Sequence, residues 1–238
     1  MPQSATANFI TEAAQFQTAP QYLVRFSWVN TAGISYPFTR DVATHAIVSA
    51  TKNPHLLLDT ISGNTQTVQP AAGRSSVGQV KLLLIDGDGV MLKQFSNPKV
   101  TLKTAHTAGS TADIEANSSV AGYPASGTVT LENVRYRYTG LNTSTNKFTG
   151  ITANVDGTSL PSGSHAIGAI ISNGEEIRPK TTRVQLFAGY APLAETDYMS
   201  LGIFEITHRA MTGGGTSWSV TASDLQRFLK KKLFLMIL

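Results

Sequence analysis

The sequence predicts a mainly β protein, and three observations carry that prediction. Only 14% of the 238 residues are charged, against roughly 25% in an ordinary soluble domain, so uncharged hydroxyl and amide groups must cover much of the surface. Twenty Gly and ten Pro punctuate short apolar runs, which is the spacing of turns between strands. The runs themselves are rich in β-branched and aromatic residues, which fit a pleated, half-buried surface. A chain of this length that is 41% apolar has enough material for one or two hydrophobic cores.

The elements follow in order. Residues 1–20 show little periodicity and are expected to form an N-terminal arm, with Phe9, Ile10 and Phe16 available to dock. From 21 to 29 the run QYLVRFSWV reads as a strand, and the Asn-Thr-Ala-Gly turn after it suggests a hairpin with 34–40. Further strands are expected at 44–50, 56–60, 78–85 and 100–103, the third of them closed by the turn residues Asp86, Gly87, Asp88 and Gly89. Residues 105–122 turn to Thr, Ala, Gly and Ser and read as a linker.

A small inserted β module is expected over 123–177, with strands at 127–131, 134–138, 147–151 and 166–171. In the second of these Val134, Tyr136 and Tyr138 alternate with Arg135 and Arg137, so one face is apolar and the other basic. Strands resume at 183–188, 198–208 and 217–221. The one helix expected comes last: Thr221 or Ser223 caps it, Asp224 complements its dipole, and Leu225, Phe228 and Leu229 fall near one face. The chain then stops on Leu233, Phe234, Leu235, Met236, Ile237 and Leu238, an apolar run too short to cross a bilayer. A core or a partner subunit is expected to cover it.

Several kinds of chemistry are excluded or unsupported. Zero Cys removes disulfides, thiolate metal sites and thiol catalysis. The opening MPQSATANFITEAAQFQ lacks the pattern of a secretory signal, and no 18-residue apolar run occurs. The formal charge of +4 comes from basic residues that are scattered apart from Lys230, Lys231 and Lys232, which is not the clustered stripe of a nucleic-acid binder. His45, His55, His106, His165 and His208 are dispersed without a metal-binding spacing, so no metal or cofactor is expected. There is no Gly-x-Ser-x-Gly elbow, and the Gly73 to Gly78 loop lacks a phosphate-binding Lys. Glu175, Glu176 and Asp197 are the only carboxylates suggesting a glycosidase pair, and the first two read as an exposed turn. Tyr136, Tyr138 and Trp218 are aromatic candidates for a glycan surface, with core packing as the plainer reading. The basic face of Arg135 and Arg137 reads as solvated or packed against a neighbouring subunit.

Two sets of motifs carry a resemblance. The run from Val184 to Tyr190, the run from Asp197 to Thr207 and the run from Ser217 to Lys230 resemble the tail-hub or baseplate-hub proteins of tailed bacteriophages and gene-transfer particles. Gly189, Gly202, Ile203, Phe204, Ile206, Asp224 and Leu225 take the places of that family's glycine turn, apolar strand and Asp-Leu helix start. Residues 123–177, including Gly157, Thr158 and His165, resemble a small β module of phage tail proteins, in which His165 is a turn or packing residue.

The resemblance implies a hub-type β-barrel formed by 21–104 and 178–238, interrupted by the small module and ending in a C-terminal helix. It implies a non-enzymatic virion component of the distal tail or baseplate, assembled in the host cytoplasm as a homo-oligomeric ring, commonly threefold. Its partners would be the tail-tube or distal-tail protein and the spike or fibre proteins, with DNA passing close by in the tail lumen. Arg135, Arg137 and the residues Leu233 to Leu238 are the expected subunit contacts. The alternative is a tail-tip module that binds glycan or degrades peptidoglycan.

Overall fold

A computed structural model describes residues 5–15, 20–29, 35–47, 56, 58–65, 68–69, 74–75, 78–87, 96–153, 155, 160, 162–176, 179, 181–191, 193–212, 214 and 216–224. The fold is mainly β, with one short helix, α1 (Ala7–Ala13). Strands β1 (Pro20–Val29), β2 (Ser35–Ala43), β3 (Leu58–Thr65), β4 (Val68–Gln69), β5 (Arg74–Ser75) and β6 (Gln79–Ile85) come first. Ten short strands follow: β7 (Lys99–Thr101), β8 (His106–Thr107), β9 (Ile114–Glu115), β10 (Gly127–Leu131), β11 (Val134–Tyr138), β12 (Gly140–Asn142), β13 (Lys147–Thr149), β14 (Thr152–Ala153), β15 (Ser164–His165) and β16 (Ile170–Asn173). Three long ones end the described chain: β17 (Thr182–Tyr190), β18 (Met199–Thr212) and β19 (Ser217–Asp224).

Backbone contacts divide the chain into two units, one of Met1–Val29, Thr39–Asp86 and Arg178–Leu238, the other of Asn30–Phe38 and Gly87–Ile177. The first unit is built on a seven-stranded sheet in the order β2-β1-β17-β18-β19-β6-β3. Alternation explains its register. On β1, Leu23 and Val24 are buried and Phe26 and Trp28 follow at two-residue spacing, and on β6 Val80, Leu82 and Leu84 do the same. Val220 and Trp218 stand directly opposite Leu82 and Leu84, so the central strands present one apolar face. Among the described residues β2 and β3 end the sheet without pairing to each other. Among the described residues it is a large sheet of open strand order, antiparallel at every pairing from β1 through β17, β18, β19 and β6 to β3.

Near one end of this sheet two features lock β1 to its neighbours. A Cβ at Gly189 would lie 2.5 Å from the Tyr198 ring, so the ring fills the space a side chain would take. The Tyr198 hydroxyl donates to Gln21 Oε1 at 2.7 Å, and burial pushes its pKa up to about 12. Arg25 spans two carboxylates: its Nε and Nη2 donate to Asp41 at 2.9 and 2.7 Å, and Nη2 also donates to Glu195 at 2.6 Å. Its guanidinium lies 5.6 Å from the Phe187 ring centroid. These acceptors, the hydrogen bond to Asp41 foremost, raise the Arg25 pKa above its already high ordinary value.

The second unit holds a five-stranded sheet in the order β14-β11-β10-β16-β7, a three-stranded sheet β12-β13-β9 and the two-stranded ribbon β15-β8. Its core joins Val129, Leu131, Tyr136 and Tyr138 to Leu102, Ile114, Phe148 and Ile171. Tyr138 and Tyr123 both set edge-to-face against Phe148, with ring centroids 5.0 Å apart, and both hydroxyls find backbone acceptors.

Four expectations need correction. The arm 1–20 is not featureless: Thr6 caps α1 by accepting from the Phe9 amide, and Phe9 sets its ring 5.2 Å from that of Tyr190. Residues 105–122 are not a linker, because they form β8 and β9 and bury Ile114, Ala116 and Val120 in the core. A sparse set of apolar residues suffices there because neighbouring strands supply the rest of the apolar surface. Residues 166–169 form a tight turn, closed by the Ala169 amide on the Ala166 carbonyl, instead of beginning a strand. Thr221, Ser223 and Asp224 are strand residues of β19, paired to β6 and β18, and do not start a helix. The helix expected beyond them, with Leu233, Phe234, Leu235, Met236, Ile237 and Leu238, lies outside the described residues.

Candidate functional site

The sharpest polar constellation is a buried hydrogen-bonded chain in the second unit. It begins at the turn between β10 and β11, where Leu131 pairs with Val134 and Glu132 and Asn133 occupy φ values of 48° and 71°. Two successive positive φ values make a two-residue hairpin turn whose twist suits the strands it joins. Asn tolerates that conformation, whereas Glu rarely adopts it. Glu132 stays there with a specific contact: its Oε2 is 2.9 Å from His165 Nδ1.

His165, on β15, is completely buried. Its Nε2 lies 2.6 Å from the Tyr136 hydroxyl. A carboxylate only accepts, so Nδ1 carries a proton and donates to Glu132, and in that tautomer Nε2 accepts from the Tyr136 hydroxyl. The Gly109 amide completes the series by donating to the Tyr136 oxygen at 3.4 Å. Burial holds the Tyr136 phenol above its ordinary pKa, so it stays a donor.

His106 stands opposite His165 in the β8–β15 ladder. The two rings are nearly parallel, with centroids 6.4 Å apart, and His106 also meets the Tyr136 ring edge-on at 5.3 Å. Its Nε2 is buried without a hydrogen-bond partner. Burial first, and then the neighbouring His165, hold the His106 imidazole below its ordinary pKa of 6.5. The folded state therefore takes up this proton less readily than the unfolded chain. Its contribution is complete above pH 6.5 and is lost as the pH falls through the lowered value. Replacing His106 with Phe is expected to flatten the fall of the urea midpoint below that pH. An unchanged slope in the variant would remove His106 as its source.

This chain runs from carboxylate through imidazole to hydroxyl, the order of a nucleophile and its base. The Glu132 side chain is 47% exposed, whereas Tyr136 and His165 are fully buried, so the hydroxyl end points into the core. The arrangement ties the ribbon β15-β8 to the β10-β11 hairpin. Among the described residues no cluster of three metal-ligating side chains occurs. No helix among them is long and apolar enough to cross a membrane.

The other expected site residues are placed as follows. Arg135 and Arg137 stand on the outward face of β11, opposite Thr130 and Thr128. Arg137 is exposed and Arg135 half-buried. Glu175 and Glu176 are buried, not an exposed turn: the Thr128 hydroxyl donates to Glu175 Oε1 at 3.1 Å and the Glu175 amide donates to Asn173. Asp197 accepts from Asn8 of α1 at 3.1 Å. Tyr136, Tyr138 and Trp218 are core residues.

The resemblance implied that His165 is a turn or packing residue, and nothing in the sequence joined it to Glu132, Tyr136 and His106. The local signal was Glu-Asn as the two residues between alternating strands. No protein-family model, curated protein or solved structure matches this chain.

Proposed function

We propose that this chain is a structural subunit of a bacteriophage distal tail or baseplate, forming an oligomeric hub ring that connects the tail tube to fibres or spike. One observation carries the reading. The stretches that resemble hub proteins form the consecutive strands β17, β18 and β19, which stand side by side at the centre of one sheet with β1 and β6 on either flank. Gly189 and Gly202 within them have structural reasons to be glycine: the first admits the Tyr198 ring, and the second takes a φ of 141° beside a register shift in β18. A closed, commonly threefold hub barrel then requires copies of the chain to complete what one open sheet leaves unfinished.

The function is subunit packing, with Arg135, Arg137 and the apolar run Leu233 to Leu238 at contacts between subunits. The buried placement of Tyr136, Tyr138 and Trp218 weakens the glycan-binding alternative, because these aromatics are committed to cores. Electron microscopy of particles assembled with a tagged copy is expected to show the tag at the distal tail. Particles with no density for this chain at that end would overturn the reading.

A further inference from the structure

We propose that the β15-β8 ribbon of the second unit is an acid-released flap, held against the β10-β11 hairpin at neutral pH by His106 and His165 and lifted from it when these buried imidazoles take up protons. The device belongs to the free chain and goes beyond the ring reading.

The docking residues of the ribbon are unusual. Between Leu102 and Ile114, His106 is the only buried residue, and from 162 to 170 His165 is the only one. A permanently docked element is held by apolar side chains, as β11 is by Val134, Tyr136 and Tyr138. Here both inward positions belong to a directly opposed pair of histidines, whose charge changes near neutrality. The attachment of the ribbon is therefore made of titrating groups.

Among the described residues, the polar groups facing the two rings are few. The Glu132 carboxylate of the hairpin turn meets His165 Nδ1, the Tyr136 hydroxyl of β11 meets His165 Nε2, and the Ser110 backbone after β8 bonds to His106. Lys103 and Asp113, before and after β8, are exposed, and Lys103 is paired with Glu115. Among the described residues no carboxylate contacts His106. A proton added to His106 Nε2 makes it a buried donor with no acceptor there. It also sets a charge against the His165 ring, whose centroid is 6.4 Å away. If His165 is charged as well, two cations face each other. Lifting the ribbon lets water solvate both. Burial and His165 hold the His106 pKa below 6.5, so closure is fully favoured above that pH and weakens as the pH falls through the lowered value.

The ribbon can lift without the core. Among the described residues β8 and β15 form a sheet of their own. Its base stays fixed, because Leu102 donates to Ala169 and accepts from Gly168, both at 2.8 Å, and Ile114 pairs with Phe148 in the core. Lifting breaks the bonds of Tyr136 to His165 and to the Gly109 amide and leaves the β10-β11 ladder intact.

Hydrogen exchange of the purified full-length chain at pH values either side of 6.5, with the intrinsic pH dependence divided out, tests the flap. Protection at the Ala108 amide, which donates to Gly163 at 3.0 Å, and at the Gly109 amide is expected to fall about tenfold per pH unit below 6.5 for one proton taken up. The β10-β11 ladder is expected to keep its protection. His106→Phe is expected to hold the ribbon's protection constant over the same range, and the smaller His106→Gln serves if the Phe ring overpacks the site. Ribbon protection that ignores pH in the parent, a hairpin that loses protection together with the ribbon, or a pH dependence that survives in both variants would overturn the proposal. Any of these outcomes leaves the tail reading standing, and absence from the tail leaves the flap standing.

Discussion

Arg25→Ala is expected to destabilise the first unit by ~3–5 kcal/mol, the loss typical of a buried ion pair stripped of one partner. The Asp41 side chain is only 2% exposed, so water cannot replace the two guanidinium donors. Glu195, 15% exposed, loses the same partner. Arg25→Lys is expected to recover only part of the loss, because one ammonium cannot reproduce the fork that holds both Asp41 oxygens while touching Glu195. Arg25→Met combined with Asp41→Leu separates the origins of the effect: if an uncompensated buried charge dominates, the double variant is more stable than Arg25→Ala. Urea unfolding followed by Trp fluorescence checks the series, since Trp28 lies on β1 with Arg25. A loss under about 1 kcal/mol, the size of a surface pair, would show that the cluster is solvated.

His165→Ala is expected to cost ~3 kcal/mol in the second unit, combining a cavity with a broken buried hydrogen-bond chain. The Tyr136 hydroxyl would lose its acceptor and keep only the long contact from the Gly109 amide. Glu132 would keep its left-handed conformation in the hairpin turn without the His165 contact that offsets its cost. Tyr136→Phe removes only the hydroxyl and is expected to cost about half as much. In the double variant the losses should fall short of additivity, because both remove the same bond. The readouts are the urea midpoint and the near-ultraviolet circular dichroism of the aromatic core. Strict additivity would show that Tyr136 and His165 do not act together.

The legible parts of the fold were those with a local period. β1, β6 and β11 alternate buried and outward residues over five or more positions, and that pattern is written in neighbouring residues. The segment 105–122 was misread for the complementary reason. Ile114, Ala116 and Val120 are too few to make a core alone, and their burial depends on Phe148, Leu102 and Tyr123 arriving from elsewhere. Thr221, Ser223 and Asp224 misled because a helix cap and the end of a strand use the same short polar residues. Ladder partners on both sides decided between them.

The candidate site divides along the same line. Arg135 and Arg137 were placed on one strand face by alternation alone, since successive side chains of a strand point to opposite sides. The chain from Glu132 through His165 to Tyr136 was not legible, because a histidine's partners depend on which strands meet, and β15 pairs with β8 instead of with either strand of the hairpin it is tied to.

By itself, the sequence determined that this protein is mainly β, that it has no thiol chemistry, and which segments have one apolar face. Those properties belong to single residues and to their neighbours. Only the tertiary structure decided that β1 and β6 flank the strands β17 to β19, that Glu175 and Glu176 are buried, and that Ile114, Ala116 and Val120 join a core. Each of these depends on strand order and register, which are set by pairings between residues far apart in the chain.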